Sequence, residues 1–274
     1  MPSRSRAMNR SLVLAACLMA AAGANPAAEV QTPVTVKVKT SRGDFDLLVY
    51  AKEKPETGSA AAAERDGKPL VLLISGEGGW RHFDRVLAGW LADAGYFVGG
   101  VDAMDYFWEP QDDRQALASD FRAYVAALAA HAGRPTNTPL VLAGFSFGAD
   151  LAPRLAGAGG WGGGLRGLLM IAPDEIGSLA FRLMEILGFE QKDHTFSVAD
   201  ALRDAAGIPV FFVHGAADTG SAAVQLAEST QQPKRLSTVP GADHHFSGRE
   251  PELRAAVIDG LAWIEANAAP AAKP

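Results

Sequence analysis

The sequence predicts an α/β fold, a mainly parallel sheet with helices on both faces and no large cap domain. Three observations carry this expectation. From residue 69 onward, short apolar runs alternate with amphipathic helical segments, the order expected of βαβ units. The runs are nearly unbroken in apolar character, as strands covered on both faces must be. One of them, 139–145, feeds into Gly144-Phe145-Ser146-Phe147-Gly148, a glycine-flanked serine between a strand and a helix that begins near Ala149.

Each segment follows from local chemistry. Arg4, Arg6 and Arg10 precede or border the apolar run SLVLAACLMAAAG, and Ala22-Gly23-Ala24 supplies the small residues that a signal peptidase requires. Residues 1–24 therefore read as an export signal, because the run is shorter than the roughly 18 apolar residues of a membrane span. Leu14-Ala15-Ala16-Cys17 also matches a lipobox, so a lipoprotein anchored through Cys17 is the alternative form of the exported chain. Cys17 is the only cysteine, which leaves the folded part without a disulfide or thiolate chemistry. Residues 25–33 read as a linker. VTVKVKT (34–40) and FDLLVYAK (45–52) alternate apolar and polar residues as a hairpin does, with Arg42-Gly43-Asp44 at the turn, and 58–68 reads as a loop.

Strands are then expected at 69–75, 96–102, 139–145, 165–173, 208–215 and 234–240. Between them, Phe83, Leu87, Trp90 and Leu91 form a helical stripe closed by Gly95. Leu117, Phe121, Tyr124, Val125 and Leu128 form a second, and Leu253, Val257, Leu261 and Ile264 the last. A helix over about 176–187 and the polar loop QKDHTFSVAD fill the interval before 208–215, too short for an independent lid. One α/β domain is expected over 34–267, with its catalytic core at 69–267 and a disordered tail at 268–274.

The chain carries 25 basic against 31 acidic residues, a net charge of −6, and loss of the three arginines within residues 1–24 makes it −9. A nucleic-acid binder needs the opposite bias, so nucleic acid is excluded as a partner. A substrate bearing positive charge is tolerated.

A serine hydroxyl is a weak nucleophile at neutral pH and needs a general base that a carboxylate orients. In the α/β-hydrolase fold, to which a strand–serine–helix elbow points, the chain order is nucleophile, acid, base. Asp218, in HGAADTG beyond 208–215, stands where the acid is expected, and His244, in PGADHHF beyond 234–240, where the base is expected. Asp174 is a rival acid and His245 a rival base, while His82, His131, His194 and His214 read as structural or solvated. The oxyanion hole would combine the backbone N–H of Phe147 with that of Glu77 in Ser75-Gly76-Glu77-Gly78-Gly79-Trp80. No Lys-Ser/Thr follows these glycines, which excludes a phosphate cradle, and the chemistry calls for neither metal nor cofactor. Gly78, Trp80, Asp105, Tyr106, Trp108 and His245 lie on loops where ligands bind in open α/β sheets. For Trp80, Tyr106, Phe107 and Trp108, core burial is an equal alternative. Glu77, Asp105 and Asp243 are carboxylates within reach of a substrate ammonium, or else solvated loop charges.

Together SGEGGW, VDAMDYFW (101–108), GFSFGAD (144–150) and ADHHF resemble the bacterial virulence protein family VirJ/AcvB over essentially 69–267. The resemblance implies a periplasmic α/β hydrolase that removes amino acids from aminoacylated phosphatidylglycerol, lysyl-phosphatidylglycerol being representative. It maps the family's serine onto Ser146 and the histidine of its HHF motif onto His244. The match is closer to the short VirJ form than to AcvB, which has an extra N-terminal domain. Glu77 stands where the family's glycine loop carries an aspartate, a departure that bears on substrate choice more than on chemistry. The implied partners are an aminoacylated phospholipid at the membrane surface and components of a secretion system. The other readings are a general carboxylesterase or lipase and a non-catalytic periplasmic scaffold.

Overall fold

The structure, a computed structural model, describes residues 31–52, 67–161, 164–181 and 193–269. The export signal (1–24), most of the linker, most of the 58–68 loop and residues 270–274 of the tail lie outside these residues. Of the linker, Gln31 donates its side-chain amide to Asp93 at 2.9 Å.

Eight strands form the main sheet. The first two, β1 (Val34–Thr40) and β2 (Gly43–Tyr50), are the expected hairpin. Its turn is Ser41-Arg42, ahead of the expected position, because Gly43 already pairs with Thr40. The others are β3 (Leu70–Ile74), β4 (Phe97–Val101), β5 (Leu140–Phe145), β6 (Leu165–Ile171), β9 (Val210–Gly215) and β10 (Lys234–Val239). The order across the sheet is β1-β2-β4-β3-β5-β6-β9-β10. The hairpin is antiparallel and joins β4 antiparallel, and every pairing from β4 through β10 is parallel.

The unbroken apolar runs have a direct cause in this geometry. Successive side chains point to opposite faces, and both faces are covered. Leu70, Leu72 and Ile74 of β3, with Leu142, Met170 and Phe212, pack on one face. Helices α3 (Arg114–His131) and α4 (Phe147–Gly157) cover it with Leu117, Phe121, Leu128, Leu151 and Leu155. Val71 and Leu73, with Ala143, Leu169 and Phe211, pack on the other. There α1 (His82–Asp93) and the last helix (Glu250–Asn267) supply Leu87, Leu91, Val257 and Leu261. Each such fully buried aliphatic or aromatic side chain contributes about 1.5–3 kcal/mol relative to exposure.

Coverage from both sides also locates a crevice. After β3 the chain runs through α1 to β4 on one side, whereas after β5 it enters α4 on the opposite face. The carboxyl ends of the neighbouring strands β3 and β5 are thus flanked by connections that diverge, a topological switch point.

Two segments differ from expectation. The helix placed at about 176–187 begins instead as strand β7 (Ile176–Ser178), and its residues 182–187 lie outside the described residues. The polar stretch before 208–215 is ordered as β8 (Thr195–Ser197), antiparallel to β7, then helix α5 (Val198–Asp204). Gly177 makes the pairing possible, since a Cβ there would lie 2.3 Å from the Phe196 ring. Ser197 caps α5 by accepting the Asp200 N–H.

A buried carboxylate ties the hairpin to the rest. Asp120 on α3 is 3% exposed and accepts from the Ser41 N–H, the Ser41 hydroxyl and the Tyr106 hydroxyl, each at 2.7 Å. Three donors on one carboxylate satisfy a charge that would otherwise be costly to bury.

Candidate active site

Strand β5 ends at Phe145 and α4 begins at Phe147, so Ser146 occupies a one-residue corner with φ 50° and ψ −117°. A non-glycine residue there is strained by about 1–3 kcal/mol, which the surrounding contacts must offset. Its N–H donates to the Ile171 carbonyl, and its own carbonyl accepts from Ala149 and Asp150 at the start of α4. The flanking glycines are required by space. A Cβ on Gly144 would lie 2.1 Å from the backbone of Gly148, and one on Gly148 would lie 2.2 Å from the Ile74 carbonyl oxygen. The G-x-S-x-G spacing thus encodes the close passage of α4 over β5 and β3.

The loops after β9 and β10 bring the other two groups to this corner. His244 Nε2 lies 3.1 Å from Ser146 Oγ, and His244 Nδ1 lies 2.7 Å from Asp218 Oδ2. The other carboxylate oxygen, Oδ1, accepts the Gly220 and Ser221 N–H groups. The Asp218 side chain is 6% exposed and that of His244 36%, so the acid is enclosed while the imidazole reaches the cleft. The two loops are docked on each other. Ala217 N–H donates to the Ala242 carbonyl, and a Cβ on Gly215 would lie 2.6 Å from the carbonyl oxygens of Ala242 and Asp243.

The rivals point elsewhere. Asp174 is exposed and accepts the N–H of Glu175. His245 is exposed and stands edge-on to Phe83 and Phe145, with its ring 5.3 Å from that of His244. Asp243 is engaged by its own turn. The N–H of Ser247, helped by that of His245, holds its carboxyl below the ordinary value.

Glu77 and Phe147 line one small cavity together with Ala103, Met104, Phe107 and Phe181. This brings the glycine loop against the N-terminus of α4, where the first N–H groups of a helix have no partner within the helix. Gly78 is exposed on the same loop, and its neighbours are held firmly. Trp80 N–H donates to Asp102, and the Ser75 hydroxyl accepts the Ala103 N–H. Sequence reasoning missed a further anchor, Asp84, whose carboxylate accepts the Arg81 N–H at 2.9 Å. Burial pushes its carboxyl up to about 6 in spite of the Arg81 and Gly76 N–H groups that favour the charged form.

Two expected ligand contacts are core residues. Trp80 is 7% exposed, donates its indole N–H to the Tyr50 hydroxyl and covers Gly100, where a Cβ would lie 2.3 Å from the ring. Tyr106 is fully buried, its hydroxyl spent on Asp120. Gly100 of β4 and the buried Asp120 claimed these rings, and neither pairing is visible along the chain. Phe107 is likewise buried, whereas Trp108 is 58% exposed and stacks on Phe181. Asp105 is exposed on the short helix α2 (Ala103–Tyr106), its carboxyl raised by partial burial and by the charges of Asp102 and Asp46.

A family model described as bacterial virulence protein (VirJ) matches residues 68–264. No curated protein matches the chain in sequence. Among solved structures, an α/β serine hydrolase without a lid from Xanthomonas campestris is 22% identical, with a TM-score of 0.54 over 85% of this chain and 95% of that one. A putative dienelactone hydrolase from Klebsiella pneumoniae is 14% identical, with a TM-score of 0.62 over 84% of this chain and 97% of the other. Est1E from Butyrivibrio proteoclasticus is 15% identical, with a TM-score of 0.58 over 85% and 99%. These likenesses establish the α/β-hydrolase fold.

Proposed function

We propose, from the premise that this chain belongs to the VirJ family of bacterial virulence proteins, that it is a serine ester hydrolase acting through an acyl-enzyme on Ser146. The observation that carries the reading is the continuous relay from Ser146 Oγ to His244 Nε2 and from His244 Nδ1 to the enclosed Asp218.

In this reading Ser146 Oγ attacks the ester carbonyl as His244 Nε2 takes its proton, and Asp218 holds the proton on Nδ1 and stabilises the imidazolium. The negative oxygen of the tetrahedral intermediate is received by the N–H groups of Phe147 and Glu77, each worth about 3–4 kcal/mol by analogy with other oxyanion holes. His244 then returns the proton to the departing alcohol. Water, deprotonated by the same nitrogen, attacks the acyl-enzyme and releases the acid.

The substrate proposed is the aminoacyl ester of an aminoacylated phosphatidylglycerol such as lysyl-phosphatidylglycerol, met at the periplasmic membrane surface. It rests on family membership and on the resemblance of the SGEGGW and ADHHF motifs. Gly78, Asp105, Trp108 and His245 remain the proposed substrate contacts. A broader carboxylesterase is the second reading, favoured by an esterase domain from Rhodothermus marinus among the solved structures that share the fold.

The test is release of free amino acid from several aminoacyl-phosphatidylglycerols, followed by mass spectrometry, beside simple carboxylic esters. The proposal expects release by the wild type, none by Ser146→Ala, and fluorophosphonate labelling at Ser146. Equal turnover by the variant would end the mechanism, and cleavage of simple esters alone would favour the broader reading. Absence of labelling would favour a scaffold.

A further inference from the structure

Next to the glycine loop, strand β2 and helix α2 flank a cavity of about 320 Å³ that takes no part in the relay at Ser146 and is lined by two of the proposed substrate contacts, Asp105 and Trp108. Three carboxylates, Asp46, Asp102 and Asp105, line it together with the apolar surfaces of Leu48, Met104 and Trp108. Asp46 is paired with Lys37 at 2.7 Å, and Asp102 accepts the N–H groups of Trp80 and Asp105. Asp105 makes no ion pair among the described residues. The partial burial of its carboxyl and the repulsion of Asp102 and Asp46 make its charged form costly. Lys37 therefore leaves the cavity about two negative charges in excess.

A second feature is independent of these charges. Tyr124 also lines the cavity; it is 1% exposed, and its hydroxyl has no hydrogen-bond partner among the described residues. Burial and then the charges of Asp105, Asp120, Asp46 and Asp102 raise its pKa. The hydroxyl is thus open to a polar group that enters the cavity. A phenol oxygen can accept one N–H, and a carboxylate can take another. An anion would be repelled here, and a purely apolar ligand would leave both groups bare. The exposed indole face of Trp108 suits a cation, and the Met104 and Leu48 side chains suit an aliphatic stem.

We propose that this cavity is a binding site for an aliphatic ammonium group, held by the Asp105 carboxylate and the Tyr124 hydroxyl with its stem along Met104 and Trp108. Met104 also lines the small cavity shared by Glu77 and Phe147, so the site adjoins the end of the sheet that carries Ser146. The ammonium could belong to the cationic side chain of an aminoacyl ester undergoing hydrolysis or to a free amine. Only the first source rests on the function proposed above.

The experiment uses the full chain as Ser146→Ala, titrated at low salt in a calorimeter with n-pentylammonium and with 1-pentanol as its neutral counterpart. The amine is expected to bind about tenfold or more tightly than the alcohol, and Asp105→Asn to weaken the amine about tenfold. Tyr124→Phe, which deletes one oxygen and keeps the ring, is expected to weaken it about threefold and serves alone if the aspartate variant does not fold. Equal binding of amine and alcohol, no amine binding up to roughly 10 mM, or no weakening in the folded variants overturns the site. With Ser146 restored, the ratio of kcat/KM for a lysyl over a norleucyl ester assigns the source. A tenfold fall in Asp105→Asn assigns it to the acyl group, and an unaltered ratio assigns it to a free amine. Loss of all turnover and labelling would remove the hydrolase reading while leaving the calorimetric result to stand by itself.

Discussion

Replacing Gly148 by alanine tests the geometry on which the nucleophile depends. The new methyl would lie 2.2 Å from the Ile74 carbonyl oxygen, where ordinary contact begins at 3.4 Å, so about 1.2 Å of separation must open between α4 and the end of β3. Both neighbours are backbone in packed elements and cannot turn aside as a side chain would. Overpacking of this kind costs about 1–3 kcal/mol of stability. The effect on catalysis should be larger in proportion, because Ser146 is the residue on which α4 turns. At 3.1 Å the Ser146–His244 hydrogen bond has little slack, and a misplacement of about 1 Å in a reacting group costs on the order of 10²-fold. The assay is kcat/KM on a p-nitrophenyl ester, with fluorophosphonate labelling and thermal unfolding by circular dichroism on the same samples. Gly89→Ala is the control, since a Cβ at that helical position meets nothing within 4 Å. A Gly148→Ala protein that folds and retains the wild-type rate would refute the argument that the elbow glycines are fixed by space.

Two further outcomes follow from the site. Asp218→Asn is expected to lower kcat by about 10⁴-fold, as in other triads, because an amide can present its NH2 to Nδ1 and turn the Nε2 proton toward Ser146. A loss smaller than tenfold in a folded variant would remove Asp218 from the orienting role. For Asp84, a folded-state pKa raised from 3.8 to about 6 means that the native protein binds this proton more tightly than the unfolded chain. Its contribution to stability is fully present below about pH 4 and is lost as pH rises through 6, about 3 kcal/mol in all. Denaturant unfolding of wild type and Asp84→Asn at pH 4.5, 6 and 7.5 (roughly the window set by these pKa values) should show this slope in the wild type alone. A difference between them that does not vary with pH would count against the buried charge.

Much of the framework was legible because it is local. Apolar runs at the strand positions and the stripes ending in Leu128 and Ile264 reflect side-chain periods that any covered sheet imposes. The corner at Ser146 was legible for the same reason, since its flanking glycines answer a clash within a few residues of the serine. Asp218 and His244 could be placed only by their positions after two strands, with Asp174 and His245 left open beside them. The β7–β8 pair was misread because Ile176–Ser178 is too short to show a period, and its partner lies beyond 182–192.

By itself, then, the sequence determined the mainly parallel α/β architecture, the strained serine and the short list from which an acid and a base could come. The tertiary structure decided which of these meet: His244 faces Ser146 because Gly215 lets its loop settle over the end of β9, while His245 is turned toward Phe83. It also decided that Trp80 and Tyr106 are core and that Asp46, Asp102, Asp105 and Tyr124 share one cavity. These outcomes depend on contacts between residues tens of positions apart, and chain periodicity carries no information about such contacts until the sheet has brought them together.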